Sequence, residues 1–329
     1  MKRALIVGID DYVENPLRGC VNDAIALANT IDKNGDGSPN FSINLLTSND
    51  AAITTAVLLD GIQKLFGSDA DCVLFYFAGH GIINESTQNG YIVSQNGVRG
   101  SWGVSIQDLI TLANHAYPKI KSTVIILDSC HSGFAGEASI VSNGNVSIIG
   151  SGVTILTACH RHQTAAESNG HGLFTTLLLD GLDGSAADIC GRITPASIYS
   201  HVDQTLGPWE QRPIYKANVQ SFITLRTIPP KISLDILRRL PTYFPDPTTV
   251  FPLDPSFEPD RENIPEALRG FPVDLNNTRI FGELQQCNRH GLVEPVGASH
   301  MYYAAINATG CRLTAIGAHY RMLAEMKRI

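Results

Sequence analysis

A histidine and a cysteine, each in a turn of small residues after an apolar run, are the residues of this sequence best suited to covalent chemistry. The motif FAGHG at 77–81 contains His80, and the motif DSCHSG at 128–133 contains Cys130, 50 residues further on. If the two runs are neighbouring parallel strands, His80 and Cys130 emerge side by side at the carboxyl edge of one sheet, where α/β proteins gather their chemistry. The glycines beside His80 let backbone approach a substrate closely.

This pair predicts the hydrolysis of an amide. Such a reaction needs a strong nucleophile, a proton for the leaving amine and donors for the oxyanion formed in between. Cys130 as a thiolate supplies the first and His80 supplies the proton. The backbone N–H groups of Gly81 and Cys130 are the candidate oxyanion donors, each worth about 3 kcal/mol. The alternative is a structural cysteine with a capping histidine, for which these two turns would serve no packing purpose.

Short β-branched runs alternate with helix-like segments over the first two thirds of the chain. The runs predict buried parallel strands at Ala4–Ile9, Ile43–Leu46, Val73–Phe77, Thr123–Leu127 and Val153–Leu156. Apolar residues at three- and four-residue steps predict helices at Asp23–Ile31, Thr54–Phe66, Ile106–Ala113 and Leu173–Leu182. This alternation predicts an α/β fold in which helices cover both faces of a mostly parallel sheet.

The composition excludes several classes of protein. With 329 residues, of which 43% are hydrophobic and 17% charged, the chain is neither disordered, collagen-like nor a coiled coil. Its formal net charge of −7 provides no overall field for a polyanion, so nucleic acid is not the expected partner. No apolar run is long enough for a membrane span or a signal peptide. The seven cysteines lack the spacing of a disulfide scaffold, which favours a reducing cytoplasm.

The composition changes near Pro229. Ten of the 17 prolines fall within 229–272, which predicts an extended linker over 229–274 after a first domain at 1–228. A helix at Thr278–Arg289, two strands at Gly291–Val296 and Met301–Ile306, and a helix at Leu313–Met326 then predict a winged-helix-like α+β module at 275–329. Its six Lys and Arg against three Asp and Glu leave DNA contact and protein docking both open, and docking of a regulator or substrate is favoured.

Further motifs accompany the two turns in a fixed order. They are GCVNDA at 19–24, TAC at 157–159, QTA at 163–165, GLFT at 172–175 and QRPIY at 211–215. Together they make residues 1–228 resemble the caspase-like cysteine peptidases (clan CD, family C14), and among them the metacaspase and paracaspase branch that bacteria also carry. The resemblance implies a caspase-like sheet, a Cys130–His80 dyad with a thioester intermediate, and a role in bacterial stress response or defence.

The same resemblance implies a pocket for a basic side chain. Asp23 and Asp128 occupy the positions of the acidic pocket residues in metacaspases, and Cys20 and Ala78 occupy those of its walls. Two ionised carboxylates favour a guanidinium or an ammonium group, so cleavage after Arg, and next after Lys, is expected. The alternative is that Asp128 merely caps the helix after it and that Asp23 begins another helix.

Calcium, which many metacaspases need, is not expected here. The stretch at 104–108 lacks the adjacent acidic pair of those enzymes, and Glu137 is the one plausible remnant. The segment at 32–37 spaces oxygen ligands like an EF-hand loop, but the twelfth position is Ile43 and not glutamate, which favours a simple turn.

These observations predict a cytoplasmic cysteine endopeptidase that uses no cofactor and no membrane contact. The alternative from a different class is a catalytically silent caspase-like interaction protein, or a DNA-binding regulator acting through the C-terminal module. The presence of both dyad residues argues against that alternative.

Overall fold

A computed structural model describes residues 1–84, 86–87, 89–129, 149–158, 167–168, 170–207, 212–260 and 264–329. The chain divides into two compact units, Met1–Pro229 and Pro230–Ile329. No helix in the described ranges is both long and apolar enough to cross a membrane.

The first unit alternates strands and helices as the sequence predicts. Its strands are β1 (Lys2–Gly8), β2 (Phe41–Thr47), β3 (Cys72–Ala78), β4 (Gly81–Asn84), β5 (Asn89–Val98), β6 (Ser101–Ser105), β7 (Ser122–Asp128), β8 (Val153–Thr157), β9 (Glu167–Ser168), β10 (His171–Gly172), β11 (Arg192–Ile193), β12 (Ile214–Asn218) and β13 (Arg226–Thr227). Its helices are α1 (Cys20–Ile31), α2 (Thr55–Phe66), α3 (Ile106–Ala116), α4 (Leu173–Asp180), which a π-helical turn at Gly181–Ser185 continues, and α5 (Pro195–Thr205).

The central sheet of the described chain has the strand order β12-β8-β7-β3-β1-β2. All neighbours in it are parallel except β12, which is antiparallel to β8. All five predicted strands are therefore present, and the QRPIY motif leads into β12. The fully buried runs of β3 and β7 explain why these two strands occupy the middle of the sheet.

Helices cover both faces of this sheet. On one face α1, α4 and α5 pack through residues such as Leu27, Leu178 and Ile198. On the other face α2 and α3 pack through residues such as Leu58 and Leu109. The predicted helices are confirmed, and two of them begin at capping side chains, Thr54 for α2 and Ser105 for α3.

A small antiparallel sheet of β4, β5 and β6 extends the second face and was not predicted. Strand β5 bulges between Val93 and Val98, where its register with β6 shifts. Gly103, at a φ of +155°, lies so close to the Ile92 carbonyl that a side chain at this position would clash with it. Bulges of this kind redirect side chains next to functional sites.

The second unit differs from the sequence prediction in two places. Residues expected to form an extended linker instead contribute α6 (Leu234–Tyr243), which contains Pro241, and β14 (Val250–Pro252). Met301–Ile306, predicted as a strand, is the helix α8. The other elements are α7 (Leu275–Arg289), β15 (Val293–Val296), β16 (Gly310–Leu313) and α9 (Ala315–Glu325). The described strands pair in the antiparallel order β14-β16-β15, so the unit is α+β but lacks the predicted strand at 301–306.

A nearly buried carboxylate joins α6 to α7. Both Glu283 oxygens accept hydrogen bonds from Arg239, at 2.9 Å each, and the Tyr243 hydroxyl and Arg279 donate to them at 2.6 and 2.7 Å. Burial acts to raise the pKa of Glu283, but the bonds from Arg239 and Tyr243 outweigh it, and the pKa lies below its usual value. The ionised form of Glu283 therefore stabilises this unit.

Replacing Glu283 with Gln should destabilise the α6–α7 contact by about 2 kcal/mol at neutral pH. This loss is smaller than the one expected when a fully buried ion pair is broken, because the arginines are half exposed. A carboxyl group whose pKa is lowered in the folded state stabilises the protein at pH values above its unfolded pKa, near 4.3. This stability is lost as the pH falls through the folded pKa. The difference between the proteins should therefore shrink below about pH 4. Hydrogen exchange of the backbone amides of α6 and α7 measures this difference in stability. Glu294→Gln, which breaks the exposed pair of Glu294 with Arg312, is the control and should change exchange little.

Candidate active site

The carboxyl edge of β1, β3 and β7 is where the structure brings together those predicted residues that it describes. Strands β3 and β7 are adjacent and parallel, with Ala78 opposite Asp128. The connection after β1 leads to α1 on one face, and the connection after β3 leads to the small sheet on the other face. Such a switch in direction opens a crevice at the strand ends, and ligands bind there in α/β proteins.

His80 lies two residues beyond β3 and is held at both its backbone and its ring. Its N–H donates to the Tyr12 hydroxyl at 3.1 Å, and its Nε2 lies 2.6 Å from the carbonyl oxygen of Asn15. Because a carbonyl only accepts, Nε2 carries a hydrogen and Nδ1 is the nitrogen left for proton transfer. The Tyr12 ring packs against the imidazole at a centroid distance of 4.6 Å.

Tyr12 links this histidine to the small sheet. Its hydroxyl donates to the Val93 carbonyl at 3.1 Å while accepting from His80. Burial raises the pKa of Tyr12, so the phenol stays neutral and can keep both bonds. Gly79 makes this approach possible, since a Cβ there would lie 2.5 Å from the Tyr12 hydroxyl. This steric requirement explains why the residue before His80 is a glycine.

Two carboxylates converge on Gly172, at the start of α4. Asp23 is 2% exposed, and its oxygens lie 2.9 Å from the Gly172 nitrogen and 2.7 Å from His171 Nδ1. Asp128 is 7% exposed and accepts a bond from the Thr175 hydroxyl at 2.6 Å. A Cβ on Gly172 would lie 2.6 Å from Asp128 Oδ2 and 3.1 Å from Asp23 Oδ2. We call Asp23, Asp128 and Gly172 the carboxylate pocket.

Hydrogen bonds fix the donor and acceptor roles around Asp128. The Thr175 hydroxyl uses its hydrogen to donate to Asp128. The Tyr76 hydroxyl, 2.6 Å from Thr175 Oγ1, must therefore donate its own hydrogen to Thr175 Oγ1. Burial raises the pKa of Asp23, against the opposing hydrogen bonds from Gly172 and His171. A buried carboxylate of this kind gains most from a cation placed beside it.

The other predicted pocket residues lie on the same side of the sheet. Cys20 and Ala78 are both buried in the core that α1 shares with the sheet. The N–H groups of Cys20 and Val21 donate to the Asp10 carboxylate at 2.9 and 3.3 Å, which caps the start of α1. Asp23 lies in the first turn of α1, as the alternative expected, and its carboxylate accepts from the Gly172 nitrogen at the start of α4.

On the other side of His80 lies a groove of about 710 Å³, which we call the His80 groove. Its lining comes from the loop after β1 and from the small sheet, at residues 12–15, 80–82, 93, 95–99 and 102. Gly81, the predicted oxyanion donor, begins β4 and is part of this lining.

Cys130 lies outside the described residues, as do Glu137 and the motif residues 131–133, 159, 163–165 and 211. Of the dyad, therefore, the structure describes His80 and the strand that leads to Cys130. Sequence reasoning missed Tyr12, Asn15 and His171 as members of the site. The GLFT motif pointed to the neighbourhood of His171, but no spacing signal links residues 12 or 15 to residue 80.

No group of three His, Cys, Asp or Glu side chains within the described residues is arranged to hold a metal ion. In the loop that resembles an EF-hand, Asp36 accepts from the Ser38 nitrogen and hydroxyl at 2.9 and 2.6 Å. The hydroxyl bond lowers the pKa of Asp36, and the carboxylate serves the turn.

Comparisons with known proteins agree with this fold. A crystal structure of protein GSU0716 from Geobacter sulfurreducens matches with a TM-score of 0.51 and 15% identity, covering 70% of this chain and 97% of that chain. Caspase-1 from Spodoptera frugiperda matches with a TM-score of 0.50 and 12% identity, covering 69% and 90%. No curated protein sequence is significantly similar to the chain. The model of the caspase domain, Peptidase_C14, matches residues 1–223. The chain therefore belongs to the caspase-domain peptidase family.

Proposed function

We propose that this protein is a cysteine endopeptidase that cleaves after Arg and, less efficiently, after Lys, with Cys130 as nucleophile and His80 as general acid and base. The observation that supports this most is the pairing of Ala78 with Asp128 in adjacent parallel strands. Two residues beyond this pair, the chain reaches His80 on one strand and Cys130 on the other. A shared sheet edge is where such a pair can act on one substrate.

The chemistry follows from the orientation of His80. The Cys130 thiolate attacks the scissile carbonyl carbon, and the N–H groups of Gly81 and Cys130 stabilise the oxyanion. The C–N bond then breaks as His80 Nδ1 gives its proton to the leaving amine, and a thioester remains. Water, deprotonated by His80, attacks the thioester, and the thiolate leaves as the acid product forms. The bond of Nε2–H to the Asn15 carbonyl supports His80 in each step.

The carboxylate pocket supports the choice of a basic residue before the scissile bond. Asp23 and Asp128 both lie close to Gly172, so a cationic group that reaches these two side chains is attracted by both carboxylates. Arg is favoured over Lys because a planar guanidinium forms paired hydrogen bonds with carboxylates. An acidic side chain would be repelled by the same carboxylates.

We also propose that the reaction takes place in the reducing cytoplasm of a bacterium, in stress response or defence. The described cysteines, Cys20, Cys72, Cys190, Cys287 and Cys311, form no disulfide with one another and are all buried, which fits a reducing compartment. The bacterial role rests on the motif resemblance. The second unit, with its six basic residues against three acidic ones at 275–329, is proposed to dock a protein regulator or substrate.

A panel of fluorogenic peptides that differ only in the residue before the scissile bond tests this function. The purified protein should cleave the Arg peptide fastest, the Lys peptide more slowly, and the Asp peptide at least about a hundredfold more slowly than the Arg peptide. Cys130→Ala should abolish all cleavage because no other nucleophile replaces the thiolate.

Cys311→Ala is the matched control, since Cys311 is buried in the second unit, where it lies in β16. Burial raises the pKa of the Cys311 thiol to about 12, which keeps it unreactive near pH 7. Cleavage that survives Cys130→Ala would remove Cys130 from the mechanism. Preference for Asp over Arg would overturn the pocket assignment.

A further inference from the structure

The His80 groove has no part in the proposed recognition of the basic residue, and its position gives it a separate task. We infer that this groove binds the substrate residues that follow the scissile bond, and that it prefers an apolar side chain among them. The inference rests on the proposed function, because it takes His80 as the group that protonates the leaving amine.

The carboxylate pocket and the groove lie on opposite sides of the sheet edge. Cys20, Tyr76 and Ala78 belong to the core on the α1 side, where Asp23 also lies. Tyr12, which lines the groove, belongs to the core on the α2 side. A peptide whose basic side chain enters the carboxylate pocket therefore has His80 between that pocket and the groove.

Proton transfer fixes which part of the substrate reaches the groove. The leaving amine must come within hydrogen-bond distance of His80 Nδ1 to accept a proton. That nitrogen belongs to the first residue after the scissile bond, so this residue lies beside the imidazole. His80 itself forms part of the groove lining, and the following residues continue into the groove.

The lining of the groove favours an apolar occupant. Val13 and Val98 are 95% and 63% exposed, and both face the groove together with Ile82 and Trp102. Glu14 and Arg99 add one charge of each sign, which leaves no net charge to select a charged side chain. Exposed apolar side chains gathered at one depression mark a binding surface.

Hydrogen bonds hold the two walls of the groove in place. Gln95 on β5 donates to the Asp11 carbonyl at 2.9 Å and accepts from the Ile53 nitrogen at 2.5 Å. Asn96 accepts from the Thr55 nitrogen at 2.9 Å, next to the start of α2. The loop after β1 and the bulged strand β5 are thus connected, and a wall that is already ordered loses less entropy when it binds a peptide.

Internally quenched peptides with Arg before the scissile bond and either Phe or Ser after it test this inference. The protein should prefer the Phe peptide by about tenfold in kcat/KM, in the range typical of one added apolar contact. Val98→Asp puts a charge into the lining and should reduce this ratio to near one. Val219→Asp is the matched control. Val219 is 49% exposed and lies at the opposite edge of the sheet, next to the β12 residue paired with Val153, so the ratio should stay as in the unchanged protein.

A binding measurement keeps the inference separate from the proposed catalysis. Trp102 and Trp209 are the two tryptophans of the sequence, so Trp209→Phe leaves Trp102 as the reporter. In the Cys130→Ala, Trp209→Phe protein, a short peptide with an N-terminal Phe should produce a saturable change in Trp102 fluorescence. The same peptide with Ser should produce a change only at concentrations about tenfold higher.

The outcomes separate the two proposals. An equal rate for the Phe and Ser peptides, or a ratio that Val98→Asp leaves intact, overturns the groove assignment while peptidase activity stands. If the protein cleaves no Arg peptide, the proposed function fails, and the fluorescence titration alone decides whether the groove binds apolar peptides. A titration without saturation, or one equal for both peptides, overturns the inference.

Discussion

His80→Ala is expected to lower kcat/KM for an Arg-containing peptide amide by about a thousandfold, within the range for loss of a general acid and base. The imidazole does three things in the proposed mechanism: it favours the Cys130 thiolate, it protonates the leaving amine, and it deprotonates the water that attacks the thioester. An alanine does none of these. The side-chain bond from His80 to Asn15 also disappears, but the backbone N–H at position 80 keeps its bond to Tyr12, and Tyr12 keeps its bond to Val93, so the groove wall remains supported.

Comparison of an amide with a nitrophenyl ester separates the first two of these tasks. A nitrophenolate leaves without a proton, so acylation of Cys130 by the ester needs only the thiolate, and kcat/KM reports this step. In the variant, kcat/KM for the ester should recover as the pH rises through the range of an ordinary thiol, about 8.5. Amide hydrolysis should not recover, because the leaving amine still lacks its proton donor. The measurement is the pH profile of kcat/KM for both substrates.

His115→Ala provides the comparison for this variant. His115 is an exposed residue at the end of α3, away from the carboxyl edge of the sheet. This substitution should leave both profiles unchanged. If His80→Ala keeps more than about a tenth of the amide activity, the histidine is not the acid of the reaction, since even weak general acids contribute about a hundredfold.

The sequence predicted the central sheet well because its strands are buried on both faces. Runs such as Val73–Phe77 and Thr123–Leu127 contain almost no polar residue, which is typical of strands in a doubly covered parallel sheet. Since the polar turns with His80 and Cys130 come directly after these two runs, strand prediction was enough to expect them at one edge. The shared edge is the part of the site that the sequence could supply, whereas the adjacency of β3 and β7, which the sequence left as a condition, comes from the structure.

The second unit was harder to predict because its elements are short. Met301–Ile306 is an apolar run of six residues, and a run of this length fits a strand or a helix equally well by periodicity. Its two alanines favour the helix that forms. Pro241 was taken to prevent a helix, but it lies in the last turn of α6, where little helix remains to be disrupted.

The missed site residues depend on distances that no local pattern contains. Tyr12 and His80 are 68 residues apart in the chain, and His171 and Asp23 are 148 apart. Tyr12 reaches His80 because β1 and β3 are neighbours, and His171 reaches Asp23 because β10 lies at the start of α4, beside α1. A tyrosine in the loop after β1 becomes a candidate only when the strand order is known.

Replacing Asp23 or Asp128 with Asn should raise KM for the Arg peptide and lower kcat/KM by about a hundredfold each, as expected when one partner of a desolvated ion pair loses its charge. Asparagine has nearly the same shape, so it can still meet Gly172 and Thr175. The peptide with Asp before the scissile bond should lose less activity than the Arg peptide, because the repulsion between acidic groups is reduced.

Asp60→Asn is the control for these two variants. Asp60 lies on the exposed surface of α2, where it pairs with Lys64, and its substitution should change neither rate. Equal losses for all peptides would argue against a charge-selective pocket.

The raised pKa of Asp23 gives this prediction a pH dependence with a definite sign. An acid whose folded pKa is raised by burial takes up its proton at a higher pH than an exposed aspartate does. In the unchanged protein, KM for the Arg peptide should therefore begin to rise, as the pH falls, before an exposed carboxylate would protonate. In Asp23→Asn this change should be absent.

The raised pKa of Asp23 also means that its ionised form lowers the free energy of unfolding. This loss is absent at low pH, where the carboxyl group is protonated in both states, and it is complete once the pH has risen through the folded pKa. Asp23→Asn should consequently not lower Tm at neutral pH, and a loss of activity without a loss of Tm assigns the effect to the charge and not to unfolding.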